Sequence, residues 1–548
     1  MKSKLTFIAL IAFTSSSYAQ PSGGSLVPSI PMQILITPIN SPMDLPEEKT
    51  IQMSQSDIQA IEVKQITITG NFAYSQEQLL KLTNFIPGSQ MTLTDLKKMA
   101  NKISTYYHKK GYFLAQVYLP VQEINNGDVS ISVTEGKYGK IDIRNQSGLS
   151  SGIASGYLKN IQTGQPITAS PLEEDLLLLS DLPGIKVRSS LVPSTTVGAS
   201  DLIVDITSES KVTGTIEADN AGNYYTGTNR LATSIHLNGP FNMGDKASLY
   251  GLTSGKGLNY MRASYQMQFG RAKTGASYSH LDYELGKEFS SLGATGTAKI
   301  FSFFGSYPLV RSRQSSIYTL LSYDDKNFED KLAATGSIVN KKTHVLTGGF
   351  YGDHRDGFNG LNTYSLAFST GSVNIKTPLA ALQDAANIQT QGHFNKLAYS
   401  VVRQHNLNDS LVVIGSLSGQ VASKNLDVSE KMSLGGMNGI RAYPEGEAYG
   451  DEGYMARLEA RYLIPKTLIN HIQLVGFLET GGIKINKNPL FGMDNHKTLS
   501  GAGFGVIWSE YNNYEVKVFY AGKLGKTSST SAPDKSGKLW IQAIKYFN

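Results

Sequence analysis

The 548-residue chain has no cysteine. That excludes disulfides, thiolate zinc sites and cysteine nucleophiles, even in an oxidising compartment. Beyond its first twenty positions it also lacks any run of about eighteen apolar residues, so no transmembrane helix is expected there. Enzyme signatures are missing as well. There is no His-Glu-x-x-His and no Walker A pattern, and the nine histidines show no ligand spacing. Gly415-Ser416-Leu417-Ser418-Gly419 puts leucine where a nucleophile elbow needs serine. Gly501-Ala502-Gly503-Phe504-Gly505 lacks the third glycine at nucleotide-binding spacing, and is better suited to close packing in a strand. No catalysis, cofactor or metal is expected. The net charge of +6 is spread along the chain, which argues for a solvated polar surface and against nucleic-acid binding.

What is present reads in four parts. Residues 1–19 resemble a secretory signal: Lys2 and Lys4, an apolar core from Leu5 to Phe13, and Ser17-Tyr18-Ala19 as cleavage site. Residues 20–61 form a linker. Pro28, Pro31, Pro38, Pro42 and Pro46 oppose a long helix, leaving a short segment from about Ser54 to Ala60 or an extended chain. Residues 62–138 predict a small α/β unit. Its strand is Val63–Thr69, its helices are Ser75–Leu82 and a longer one capped by Thr92 with Asp95, and its closing strands are Phe113–Leu119 and Asp128–Thr134. Leu96, Met99, Ala100, Ile103 and Tyr107 fall on one face of the longer helix, and Gly111 stops it. Residues 139–209 repeat the pattern, with strand Lys140–Arg144, a helix from Ser170-Pro171, and strands Ile185–Val192 and Asp201–Thr207.

From 210 to 548 the texture changes to about sixteen alternating segments. In one of them Tyr454, Ala456, Leu458, Ala460 and Tyr462 share a face, while Met455, Arg457, Glu459 and Arg461 share the other. One apolar and one charged face suit a membrane β-barrel with lipid outside and a wet lumen. Fifty-four glycines and twenty-nine tyrosines fit close-packed walls and interfacial girdles. The predicted fold class is therefore α+β modules followed by an all-β transmembrane barrel of antiparallel strands.

The segment Leu434-Gly435-Gly436-Met437-Asn438-Gly439-Ile440-Arg441-Ala442-Tyr443, with Gly450-Asp451-Glu452-Gly453, resembles the signature loop of TpsB-type two-partner secretion transporters. These belong to the ShlB/FhaC/HecB family of haemolysin and adhesin secretion proteins. Their usual Val-Arg-Gly-Tyr stands here as Ile440-Arg441-Ala442-Tyr443, with alanine for glycine. Their Phe-x-Asp-x-Gly stands as Phe477-Leu478-Glu479-Thr480-Gly481, with glutamate for aspartate. Gly111-Tyr112, Leu119-Pro120-Val121-Gln122 and Leu182-Pro183-Gly184-Ile185-Lys186-Val187 resemble the two POTRA domains of the family.

The resemblance implies a transporter in the outer membrane of a Gram-negative cell, with its POTRA domains in the periplasm and sometimes a plugging helix near its N-terminus. It implies a large exported partner (adhesin, haemolysin or toxin) with an N-terminal secretion domain. It further implies a monomer seated in outer-membrane lipid and lipopolysaccharide. The loop would fold into the lumen and pair Arg441 with Glu479. Strand addition is the natural capture mode of a sheet edge, so Phe113, Ala115, Val117, Leu119 and Gln122 are the expected cargo contacts. The rival readings are an outer-membrane protein insertase and a passive porin.

Overall fold

The computed structural model describes residues 21–28, 60–465, 471–489 and 494–548. The proposed signal and the segment Ser54–Gln59 lie outside these. Among the described residues no helix is long and apolar enough to cross a membrane, and the crossing is made by strands.

The first α/β unit carries strand Gln65–Thr69, helices Gln76–Thr83 and Leu93–Lys109, and strands Gln116–Tyr118 and Asp128–Thr134. Asp128–Thr134 sits centrally, parallel to Gln65–Thr69 and antiparallel to Gln116–Tyr118. Ser75 and Thr92 cap the two helices through capping boxes. The five residues spaced along the longer helix are all buried on the sheet. The expected strand Phe113–Leu119 shortens to Gln116–Tyr118, because Phe113 and Leu114 turn away to pack on the core of the second unit.

The second unit repeats the order. Strands Lys137–Asn145 and Ala199–Ser208 run parallel, Ile185–Pro193 pairs antiparallel with the latter, and helices Ser151–Tyr157 and Ala169–Ser180 cover them. Leu172, Leu176, Leu179, Leu202, Val204 and Ile206 are sealed between helix and sheet. Fully burying one such side chain contributes about 1.5–3 kcal/mol.

The remainder is a closed barrel of sixteen antiparallel strands, in which the first, Val212–Asp219, pairs with the last, Gly537–Phe547. Closure leaves no free edge, so every wall strand can satisfy its backbone in lipid. Parity falls as the sequence dictates. Leu231, Leu458, Leu474, Leu478 and Phe504 are exposed on the outer face, while Val475, Phe477 and Glu479 are buried within. The second α/β unit is clamped under the barrel. Arg311 makes a two-pronged bond to Asp181, both contacts at 2.8 Å, Arg271 reaches Glu174 at 2.5 Å, and Tyr157 donates to the Gly270 carbonyl at 2.8 Å. The four-residue helix Gly23–Leu26 packs inside the wall, where the Gly23 amide donates to Asp330 at 2.9 Å.

Candidate functional site: the lumen loop

Between strands Leu411–Ala422 and Glu452–Leu463 the chain does not turn directly; residues 423–451 fold back into the lumen. Glycines make the fold-back possible. The amide of Ile440 donates to the Leu434 carbonyl at 2.7 Å, and a Cβ at Gly439 would lie 2.1 Å from that same oxygen. A Cβ at Gly435 would lie 2.3 Å from the Pro444 carbonyl. Gly436 adopts φ +103°, which only glycine takes readily.

Arg441 ends up 3% exposed. Its Nε donates to Glu479 Oε1 at 2.6 Å and its backbone amide to Glu479 Oε2 at 2.7 Å. Its Nη2 donates to Glu459 at 2.7 Å. The guanidinium lies over the Phe477 ring, 3.4 Å from its centre, with Phe519 5.0 Å away. Trp540 donates its indole N–H to the Arg441 carbonyl at 2.7 Å. A buried guanidinium needs acceptors for its donors, and these groups supply them together with a π-face.

The same acids serve two more arginines. Arg457 reaches Glu479 at 2.8 Å and donates to the Gly439 carbonyl at 2.8 Å; Arg461 donates to Glu459 at 2.7 Å. Sequence reasoning paired Arg441 with Glu479 but missed Glu459 and Trp540. Parity had already turned Glu459 inward; what it lacked was the depth to which the loop descends.

The other motif residues are placed around this pair. Ile440 and Tyr443 are buried, and the Tyr443 hydroxyl donates to the Thr527 carbonyl at 3.2 Å. A Cβ at Gly481 would come within 2.9 Å of Leu434, and one at Gly450 within 2.6 Å of Ile483. A Cβ at Gly453 would lie 2.6 Å from the Gly482 carbonyl. Asp451 is fully buried, accepting from the amides of Leu426 and Lys487 at 3.0 and 2.7 Å. The departure at Ala442 is accommodated by the wall: a Cβ at Gly501 would lie 2.6 Å from the Ala442 methyl.

The expected cargo contacts are placed differently from one another. Ala115 is 2% exposed and faces the core of the first unit, and Val117 and Leu119 pack on that core. Phe113 belongs to the junction with the second unit. Gln122 is spent on structure, bonding the amide and carbonyl of Ser130 at 2.7 and 2.8 Å. On this edge Gln116, Tyr118 and Val121 are exposed side chains.

A family model for the haemolysin secretion/activation protein ShlB/FhaC/HecB matches residues 198–507, and one for the ShlB-type POTRA domain matches residues 61–136. The chain belongs to the ShlB/FhaC/HecB family. It is a two-partner secretion transporter of the outer membrane, with POTRA domains on the periplasmic side. Such transporters act with a large secreted partner protein, which sets the insertase and porin readings aside. The heme/hemopexin transporter protein HuxB of Haemophilus influenzae is 29% identical over 474 residues, covering 85% of this chain and 83% of HuxB. The structure of CdiB from Escherichia coli superimposes with a TM-score of 0.72 at 18% identity, over 91% of this chain and 93% of that one. CdiB from Acinetobacter baumannii gives 0.65 at 20% identity, over 92% and 94%. At these identities the two structures speak for the fold.

Proposed function

We propose that the transporter exports its partner through the barrel lumen and that the loop carrying Arg441 is the gate. The observation that carries this reading is a buried arginine clasped by two wall carboxylates at the tip of a loop folded back into the lumen. A contact of about 4 Å at an effective dielectric near 20 gives roughly 4 kcal/mol of raw attraction. Desolvation returns much of it, while loss of one partner from a buried pair costs about 3–5 kcal/mol. A bond that is weak in net terms but costly to leave half-made behaves as a latch. Capture of the partner begins at the first POTRA unit, on the backbone edge of Gln116–Tyr118 with Tyr118 and Val121 beside it. This supports strand addition read through main-chain groups. Drive comes from folding of the cargo outside or from biased diffusion, with no chemical turnover. The transporter works as a monomer in outer-membrane lipid and lipopolysaccharide.

The test is a secretion assay at equal surface levels of barrel. Arg441→Ala and Glu479→Ala each lower secretion without blocking insertion, and the double variant is less than additive because either change removes the shared contact. Additive losses, or none from either single variant, overturn the latch.

A further inference from the structure

Arg441 fastens the tip of the loop by placing a cation against wall acids. The limb leading down to it is fastened with the opposite polarity. Glu430 and Asp427 are buried loop carboxylates. Glu430 meets Lys326 at 2.6 Å and Lys396 at 2.9 Å, and Asp427 meets Lys341 at 2.8 Å. The three lysines point inward from strands Ser315–Leu332, Ser337–Arg355 and Gly392–Asn406, the wall away from Glu459 and Glu479. Lys396 and Gln420 also donate to the Glu430 carbonyl, at 3.1 and 3.0 Å. Asp427 caps the turn Val428–Glu430 by accepting from Ser429. Between limb and tip lies the pair Gly435-Gly436, with Gly436 at φ +103°, a natural hinge. The N-terminal segment leans on the same loop: a Cβ at Gly24 would lie 3.0 Å from the Ser429 Cβ, and the Tyr449 hydroxyl donates to the Ser25 carbonyl at 3.2 Å.

We propose that Asp427 and Glu430, with Lys326, Lys341 and Lys396, form a second latch that holds the limb and opens independently of Arg441. The proposal deepens the reading of this loop as the gate, and its test measures loop exposure rather than secretion, so the two can fail separately. Releasing the tip strands the Arg441 guanidinium, since Glu479 and Glu459 keep Arg457 and Arg461, whereas releasing the limb strands three wall lysines. Each half therefore resists opening by its own unpaired charge, and the hinge lets one move without the other. These five are positioning residues for the loop.

The absence of cysteine supplies the experiment. Full-length transporter bearing either Val428→Cys on the limb or Met437→Cys on the tip is reconstituted in liposomes. It is then labelled with a membrane-impermeant maleimide. With Asp427→Asn and Glu430→Gln together, labelling of the limb reporter is expected to rise about tenfold, equivalent to about 1.4 kcal/mol of closure, while the tip reporter stays protected. Arg441→Ala gives the reverse pattern. Lys326→Gln with Lys396→Gln attacks the same latch from the wall and serves if the acid variant does not fold, which heat-dependent gel migration reports. Restored limb protection on combining Glu430→Lys with Lys326→Glu and Lys396→Glu separates ion pairing from packing. Equal exposure of both reporters in either variant, or an unchanged limb reporter in both latch variants, overturns the proposal.

Discussion

The second POTRA unit and the barrel are built from the same kinds of residues in opposite order. In the POTRA unit leucine, valine and isoleucine are sealed between helix and sheet, and its acids Glu173, Glu174 and Asp181 lie at the surface that meets the barrel arginines. In the barrel, leucines and phenylalanines such as Leu458, Leu478 and Phe504 face outward, and charged groups, Arg441, Glu459 and Glu479, are sealed inside beside Phe477 and Phe519. An apolar core is held by area removed from water, which no partner exchange can undo. An ionic lumen is held by pairing, which is directional and can be dismantled group by group as water enters. The difference separates a module of fixed shape from a pore whose filling must move.

Three measurements sharpen or break that contrast. The largest effect is expected from Leu176→Ala, which opens a cavity in the POTRA core and costs about 2–5 kcal/mol. Thermal unfolding should show the N-terminal transition falling while the barrel transition holds. Next is Leu478→Arg on the outer wall, costing about 2–4 kcal/mol if it lies near the bilayer midplane. Less folded barrel on unheated gels is expected, where Leu478→Ala is mild. If Leu478→Arg is silent, the outer face is not lipid-facing there. The smallest concerns Asp175, a carboxyl on the covered side of the second POTRA helix. Burial pushes it up to about 6, against the opposing pull of Arg271 and with help from Glu174. Its folded pKa is raised, so the fold favours the protonated acid. The unit gains stability as pH falls through about 6 towards the ordinary value of 3.8. Asp175→Asn removes this dependence. Its N-terminal transition should melt a few degrees above the parent at pH above 7 and converge with it only as pH falls below about 3.8. Parallel curves at both pH values would show that Asp175 is not buried at a cost.

Much of this architecture was legible because it rests on local rules. Period-two alternation assigned Leu458 to lipid and Glu479 to the lumen, and the cap at Thr92 marked a helix start. What local rules missed was decided at a distance. Phe113 and Leu114 leave their strand because the second unit offers an apolar seat. The helix Ser151–Tyr157, Ser-Gly-Ile-Ala-Ser-Gly-Tyr, has poor intrinsic propensity and forms because Ala154 and Tyr157 are buried by packing. The lysines that meet Asp427 and Glu430 lie 34 to 104 positions away in sequence. Only barrel closure brings them to the loop. Helix Gly23–Leu26 has no periodicity to reveal it.

The contact between Ala442 and Gly501 has a consequence for how this sequence can change. Loop and wall have room for one methyl group between them. While alanine occupies 442, position 501 is confined to glycine. If 442 reverts to glycine, 501 is released from that neighbour. Substitution at either site is thus conditional on the other. A lineage moving the methyl from loop to wall must pass through the state in which both positions are glycine.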